Sequence, residues 1–495
     1  EGLIMNFLGI DLGTSSVKII IMNEQGNIIE SVSKNYDVSY PHAGWAEQNP
    51  DDWWNSTKNG IKELLNRENI KPEEISGISF SGQMHGLVIL DDKNQVLMPA
   101  ILWCDQRTQK QCDYLNKEFG QEKLSEYTGN MALTGFTLPK VLWVKENRPD
   151  IYKRIAHIML PKDYISFKLT GIFASDVSDA SGTIMFDVKN RKWSKKIVEL
   201  LKIEEKVLPK VYESSDVIGN VSKEASRETG LSTETLVIAG AGDQAAGAVG
   251  TGVVDSGMIS VSLGTSGVVF SSSEKFYMDK ENRLHSFCHA NGKWHQMGVI
   301  LSAASSLKWW VENVNLDTDG DAFEKLLSEA GRSSVGSNKL LFLPYLMGER
   351  TPYNDPDAKG SFIGLNITHK RGDMTRAILE GVCFALRDSL EILKSMNVEM
   401  SEIRVNGGGA KSKLWRHILA DVFNLKVNIV NSKEGPAYGA SILAAVGCKL
   451  FKSVDEACKV LIKTSDSVEP IKENVEKYNK IYKVFRFPLI SYNGN

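Results

Sequence analysis

The chain lacks the marks of several large protein classes. It has 6 cysteines in 495 residues, at 104, 112, 288, 383, 448 and 458, with no C-x-x-C pair. Cysteines spread so thinly make neither a disulfide framework nor a zinc site, and they imply thiols in a reducing compartment. The cytoplasm is the expected location. No apolar run approaches the roughly eighteen residues of a membrane span. The first residues carry no basic segment leading into an apolar one and a cleavage site, so no secretory leader is expected. Charge is balanced, with 58 lysines and arginines against 61 acids and a net charge of -3. That excludes the electrostatic footprint of a nucleic-acid or anionic-membrane binder. There is no G-x-x-x-x-G-K-[ST], so the chain is not a P-loop enzyme. The glycines of GAGDQAAGAVG (240–250) resemble a dinucleotide loop. No acid closes a second strand at the required distance, which argues against a nicotinamide or flavin site.

What is present describes a large folded α/β chain: 42% hydrophobic, 24% charged and 8% aromatic. Its length exceeds one ordinary core, so two domains are expected. NFLGIDLG, SVKIIIM and NIIESVS read as three strands, the last two joined by the turn NEQG. DDWWNSTKNGIKELL has helical spacing behind an aspartate start signal. ISGISFSG and TLVIAGAGD read as strands, and DQAAGAVGTG as a small-residue helix. From Ser256 the order begins again. GMISVSLGTSGVVF reads as strand, turn, strand, and SEIRVNGGGA as a strand into a glycine loop. KLWRHILADVFN reads as an amphipathic helix, VNIV as a strand and GPAYGASILAAVG as a second small-residue helix. LGTS at 12–15 thus pairs with LGTS at 263–266, ISFSGQ with RVNGGGA, and DQAAGA with GPAYGA. Leu12 to Asp243 spans 231 positions and Leu263 to Gly435 spans 172. The pattern implies duplicated domains, with an insertion in the first half within residues 91–224 and a boundary near 253–256. The expected domains are 1–254 and 255–495.

A strand–glycine turn–strand with small hydroxyl residues gathers backbone N–H groups at one point, and such a concavity suits phosphate oxygens. Gly13 and Gly264 let the backbone come close, and Thr14 and Thr265 add hydroxyls. An ordinary hairpin explains one copy; two copies at matched places favour one polyphosphate gripped from both. Asp11 precedes the first turn and Ser262 the second. One carboxylate suits a single Mg2+ held beside a nucleotide, whereas a second would repel the phosphates. Gly407, Gly408 and Gly409, between a strand and a helix, suit an adenosine or phosphate contact. Asp243 follows a glycine-rich strand end. An N-cap is its simplest role, but an ionised aspartate there also fits the proton acceptor of phosphoryl transfer. Gln83 and His85 in GQMHG could hydrogen-bond a polyol. Trp103, Asp105 and Arg107 in ILWCDQR, with Trp45 and Glu47, offer the mixture of aromatic faces and polar groups that sugars favour. Both of these segments could equally be ordered surface loops. For Lys18 the simplest role is that of an exposed strand lysine, with a phosphate contact as the alternative.

GFTLPKVLWVKEN (135–147) and GSFIGLNITHKRGDMTRAILE (360–380) match the two long signatures of the FGGY carbohydrate kinases. The chain resembles that family from about residue 5 to residue 482. GQMHG, ILWCDQR, LPKDYISFKLTG, SDVSDASGTIMFDV, GAGDQAAGAVG, SVSLGTSGV, HSFCHA, LPYLMGERTP and EGPAYGA bring it nearest to the family's D-xylulose kinases. The resemblance implies a duplicated ribonuclease H-like fold of the actin-like ATPase kind, with two lobes around a central cleft. It implies a sugar held mainly by the first lobe and MgATP against the second. The activity implied is transfer of the γ-phosphoryl group of ATP to D-xylulose, giving D-xylulose 5-phosphate. Asp243 is implied as the catalytic base, Met84 with His85 at the sugar, and Asp11 near magnesium. Thr14, Thr265 and the 407–409 loop are implied around the nucleotide. The sugar and MgATP are the expected partners, and a homodimer is compatible with the sequence. Cys104 stands where asparagine is expected, Gln106 where glycine is, and Gln244 where asparagine is commoner. Cys104 and Gln106 leave open a different polyol such as ribulose, gluconate or glycerol. An actin-like ATPase without a sugar, or a catalytically dead sugar-binding regulator, is the rival of another class.

Overall fold

A computed structural model describes residues 4–67, 70–315, 320–432 and 435–488. The opening apolar runs form an antiparallel meander of β1 (Asn6–Leu12), β2 (Ser16–Asn23) and β3 (Ile28–Asn35). Asn6 lies opposite Asn23, and Leu12 opposite Val17. β4 (Ile75–Gly82) runs parallel to β1 on its other side. β5 (Val217–Asn220) pairs antiparallel with β6 (Leu236–Ile238), which lies parallel to β4. β7 (Ala241–Gly242) rejoins β4 at Ser81 and Gly82. The strand order is β5-β6-β4-β1-β2-β3.

β1 is buried along nearly its whole length because helices cover both faces. Leu8, Ile10 and Leu12 point into a core with Trp53 and Leu64 of the Pro50–Arg67 helix. Trp53 is 0% exposed, and burying an indole is worth on the order of 4 kcal/mol as an upper estimate. Side chains alternate along a strand, so Gly9 faces the opposite side. A Cβ there would stand 2.2 Å from the Ala437 carbonyl oxygen of the Gly435–Gly447 helix. The same helix meets the Asp243–Gly250 helix through glycine, since a Cβ on Gly439 would stand 1.8 Å from the Ala246 carbonyl oxygen. Small residues thus let backbone approach backbone.

The second half repeats the plan with β8 (Gly257–Leu263), β9 (Gly267–Ser273), β10 (Trp294–Ile300), β11 (Met400–Asn406), β12 (Lys426–Val430) and β13 (Thr464–Val468). The order β10-β9-β8-β11-β12-β13 matches β3-β2-β1-β4-β6-β5 position for position. β8 is antiparallel to β9 and parallel to β11, as β1 is to β2 and β4. The first four strands are therefore duplicated in topology as well as in sequence phrase, whereas the outer pair is reached in the opposite chain order and a further strand, His285–Cys288, lies beyond β10.

Two details differ from the sequence reading. The extra residues are not a single insertion. The first half is longer between its fourth and fifth core strands (83–235 against 407–425), and the second half is longer between its third and fourth (301–399 against 36–74). Counting between distant anchors sees only the net. The compact units are also not the two halves. One unit comprises Glu1–Val254, Ser286–Trp294 and Ser432–Lys463; the other comprises Asp255–His285, His295–Asn431 and Thr464–Asn495. The Gly435–Gly447 helix belongs to the first because it covers β1. Glu434, which opens EGPAYGA, lies outside the described residues. Among the described residues no helix is long and apolar enough to cross a membrane.

Candidate active site

In the first unit the LGTS turn links β1 to β2. Gly13 N–H donates to the Ser16 carbonyl at 2.9 Å, and Tyr36 N–H donates to that of Ser15 at 3.1 Å. The Gln48 amide donates to the Thr14 carbonyl at 2.6 Å, and the Gln83 amide donates to that of Gly13 at 3.3 Å. The Tyr36 hydroxyl also donates to the Gly13 carbonyl. The carbonyls are thus engaged, while among the described residues neither Thr14 N–H nor Ser15 N–H has a hydrogen-bond acceptor. That is the donor arrangement an anion needs.

Asp11, the last residue but one of β1, is half-buried and lies opposite Lys18 on β2. Burial raises its pKa, while the neighbouring Ser81 hydroxyl and the Lys18 charge act against the rise. In the duplicate turn, Ser262 lies opposite Val268, so the acid and its cross-strand lysine are both absent there.

Asp243 is the first residue of its helix, and Gly242 is the N-cap. The expectation of an N-cap role for Asp243 is corrected by one position. A carboxylate at a helix N-terminus ordinarily has its pKa lowered. Here burial, and secondarily the nearby Asp11 charge, push it up to about 7, against bonds from the Gln244 and Asp243 backbone. The glycines before it serve the backbone. A Cβ on Gly240, at φ +84°, would stand 2.5 Å from the Phe80 carbonyl oxygen, and one on Gly242 would stand 2.9 Å from the Met84 sulfur. They admit β4 and Met84.

The GQMHG residues divide. Met84 packs on Gly242, beside Asp243 in the chain. His85, half-buried, takes a left-handed backbone (φ 73°), and its Nδ1 lies 2.9 Å from the Gly182 carbonyl oxygen. Its ring meets Phe136 edge-on at 4.9 Å. Gln83 is 2% exposed, and its amide is committed to Gly13 and to Gln48 at 3.1 Å. It braces the turn and does not present itself to a sugar. Asp105 is corrected likewise. At 1% exposure its carboxylate accepts from Ala46 N–H at 2.7 Å and from the Arg107 guanidinium. That guanidinium lies 3.7 Å above the Trp45 ring and 2.8 Å from Glu47. Trp45, Glu47, Asp105 and Arg107 are thus a structural knot. Trp103 is 46% exposed and donates to the Thr14 hydroxyl at 3.0 Å, so it offers an aromatic face next to the turn. Cys104 and Gln106 line an open cavity of about 480 Å³ with Tyr40, His42 and Trp45.

Sequence reasoning missed Lys140. It is fully buried, and its ammonium donates to the carbonyls of His85 at 3.2 Å and Gly135 at 2.6 Å, while the Thr137 hydroxyl donates to His85 at 2.9 Å. Burial lowers its pKa to about 7, against the pull of Asp105. The signal was a lysine inside the apolar stretch TLPKVLWV.

The second unit holds the other turn. Its carbonyls are again engaged: Gly264 accepts from Ala304 N–H at 2.8 Å, and Thr265 from Ala303 N–H at 2.9 Å. The glycine loop lies against it. A Cβ on Gly407 would stand 2.7 Å from the Leu263 carbonyl carbon, and one on Gly409 would stand 2.8 Å from both Leu263 and the Trp415 ring. A Cβ on Gly408 would meet nothing within 4 Å. Gly407 and Gly409 are packing glycines, and Gly408 borders open space.

Residues 6–250 match the N-terminal domain of the FGGY family of carbohydrate kinases, and residues 259–448 match its C-terminal domain. The chain belongs to this family. It is 40% identical over 480 residues to the xylulose kinase of Bacillus subtilis, covering 97% of this chain and 95% of that one. Its fold is that of a Brucella ovis structure described as a xyloylose kinase, with TM-score 0.90, 38% identity, and 97% and 98% of the two chains covered. The gluconate kinase structure from Lactobacillus acidophilus superposes as well, at TM-score 0.91 with 97% of each chain covered, but is only 26% identical. The protein is accordingly a phosphotransferase with an alcohol acceptor. Its two substrates are a sugar and ATP.

Proposed function

We propose that the protein transfers the γ-phosphoryl group of MgATP to O5 of D-xylulose, with Asp243 as proton acceptor. The observation carrying this is Asp243 itself, with a carboxyl pushed up to about 7 at the head of the helix on which Met84 packs. The naming of relatives at about 40% identity over nearly the whole chain supports the choice of sugar. A base with a pKa near the working pH combines a large ionised fraction with useful proton affinity. The proton of the O5 hydroxyl passes to Asp243, O5 bonds to the γ-phosphorus, and the bond to the β-phosphate oxygen breaks to release ADP. Met84, His85 and Trp103 hold the sugar. Gly13, Thr14, Gly264, Thr265 and the 407–409 loop hold the nucleotide, with Gly408 at the contact. The first lobe, 1–254, is the sugar-binding one, and 255–495 the ATP-binding one, apart from the helix it lends to β1.

Magnesium fits the donor set. Asp11 offers a hard carboxylate oxygen, and its charge helps to raise Asp243, so a cation there would relieve both. Mg2+ needs only one or two carboxylates beside phosphate oxygens and waters, which agrees with the absence of any cluster of three metal-ligating side chains among the described residues. Bound there, the ion supplies positive charge against the phosphates. None of the six cysteines forms a disulfide, which supports a cytoplasmic location.

The test is ADP release with Mg2+ and ATP across D-xylulose, D- and L-ribulose, gluconate, glycerol and no sugar. Strong stimulation by D-xylulose alone is expected. Stimulation by gluconate or glycerol instead would keep the chemistry and move the substrate. Turnover indifferent to sugar would sink the proposal.

A further inference from the structure

The phrase SDVSDASG (175–182) has entered the site so far only through the Gly182 carbonyl beside His85, yet it is built around a buried charge cluster. Lys162 is 1% exposed. Its ammonium lies 2.8 Å from Asp163, 2.8 Å from Asp176 and 3.4 Å from Asp179, all three fully buried. The lysine rises well above its ordinary pKa, the carboxylates outweighing its burial. Burial pushes Asp163 and Asp179 up. A buried ion cluster is retained only where its geometry is fixed, and here two strand ends depend on it. A Cβ on Gly82, at the end of β4, would stand 2.8 Å from the Lys162 Cβ. The second link is a hydrogen-bonded relay. Asp176 Oδ2 accepts from Ser178 N–H at 2.8 Å, from the Ser214 hydroxyl at 3.0 Å and from the Ser178 hydroxyl. With its proton given to Asp176, the Ser178 oxygen accepts from Gly242 N–H at 3.1 Å. A chain of this kind polarises each member. Gly242 directly precedes Asp243, and a glycine has little conformational preference of its own.

We propose that Ser178 is a positioning residue for Asp243. The relay Asp176–Ser178–Gly242 fixes the backbone from which the catalytic carboxylate projects, with Lys162 anchoring Asp176. This rests on the reading of Asp243 as proton acceptor. Displacing a reacting group by about 1 Å can cost on the order of a hundredfold in rate while substrate binding survives.

Ser178→Ala and Ser214→Ala each remove one hydroxyl from the same Asp176 oxygen, but only the first breaks the link to Gly242. Steady-state ADP release by the full-length protein with D-xylulose and MgATP is compared with thermal melting of each variant. Ser178→Ala should lower kcat at least about tenfold, with the KM for D-xylulose within about twofold. Ser214→Ala should keep kcat within about twofold while losing comparable thermal stability. Equal kcat values in the two variants, or a Ser178→Ala loss confined to KM, would overturn the proposal. Should Ser178→Ala not fold, Ser178→Cys leaves no cavity, weakens the acceptor and is held to the same limits. Wild-type protein that no sugar stimulates would instead defeat the functional reading on which this rests.

Discussion

Asp243 is where one atom's environment matters most. Asp243→Asn keeps the shape and removes the proposed proton acceptor, so sugar-dependent turnover should fall roughly 10²–10⁴-fold. The wild-type kcat/KM should decline on the acid side as pH passes below about 7, the value to which Asp243 is raised. Stability should show the opposite preference. A carboxyl whose folded pKa lies above its unfolded one favours the fold while protonated, and that contribution is lost as pH rises through the folded value. Asp243→Asn should therefore melt above wild type near pH 8, and the difference should close toward about pH 4. Melting curves at the two pH values test it, and a variant that melts lower near pH 8 would contradict the raised pKa. The glycine loop gives a second contrast. Gly407→Ala, at φ +87° with the Leu263 backbone in the way, should destabilise the fold. Gly408→Ala should fold and mainly raise the KM for ATP. Equal melting temperatures for the two would count against the division.

Among the elements, the decisive contact is the crossing of the two small-residue helices, Asp243–Gly250 and Gly435–Gly447. Alanine in place of glycine in a helix is ordinarily stabilising by about 0.5–1 kcal/mol. At Gly439 the added Cβ would meet the Ala246 carbonyl oxygen at 1.8 Å, and overpacking typically costs about 1–3 kcal/mol. The steric cost should win, so Gly439→Ala should lower the melting temperature. Gly331→Ala, in the Ala322–Arg332 helix, where the Cβ would find its nearest neighbour at 4.0 Å, should leave it unchanged or raise it. These elements were legible in the sequence: the Pro50–Arg67 helix from its helical spacing and aspartate start signal, and the small-residue helices from their composition. The break of TLVIAGAGD into two short strands, both parallel to β4, was not, because it falls at Gly240, whose left-handed backbone lies against Phe80 of β4, a residue far away in the sequence.

The whole molecule is a duplication whose units exchange chain. Residues 432–463 complete the first unit, although they lie in the second half of the sequence. A fragment spanning 1–254 would leave Gly9 and Gly77 of the first sheet without the helix that covers them. It should show no cooperative thermal transition by circular dichroism, where the full chain does. A sharp transition from the fragment would mean that the helix is dispensable. Two LGTS turns, two glycine strand ends and two small-residue helices in one order fixed the α/β class and the duplication, because local periodicity and turn chemistry are written in consecutive residues. Asp11, Asp243 and the two turns, on which the proposed function rests, stand out in the same way, each beside glycine at a strand end. Tertiary structure alone decided that Asp105 and Gln83 face inward, that Lys140 holds His85, and that Lys162 gathers three aspartates behind Ser178. Whether a polar side chain meets a ligand or a buried partner depends on what other segments bring to it, and those segments lie far apart in the sequence.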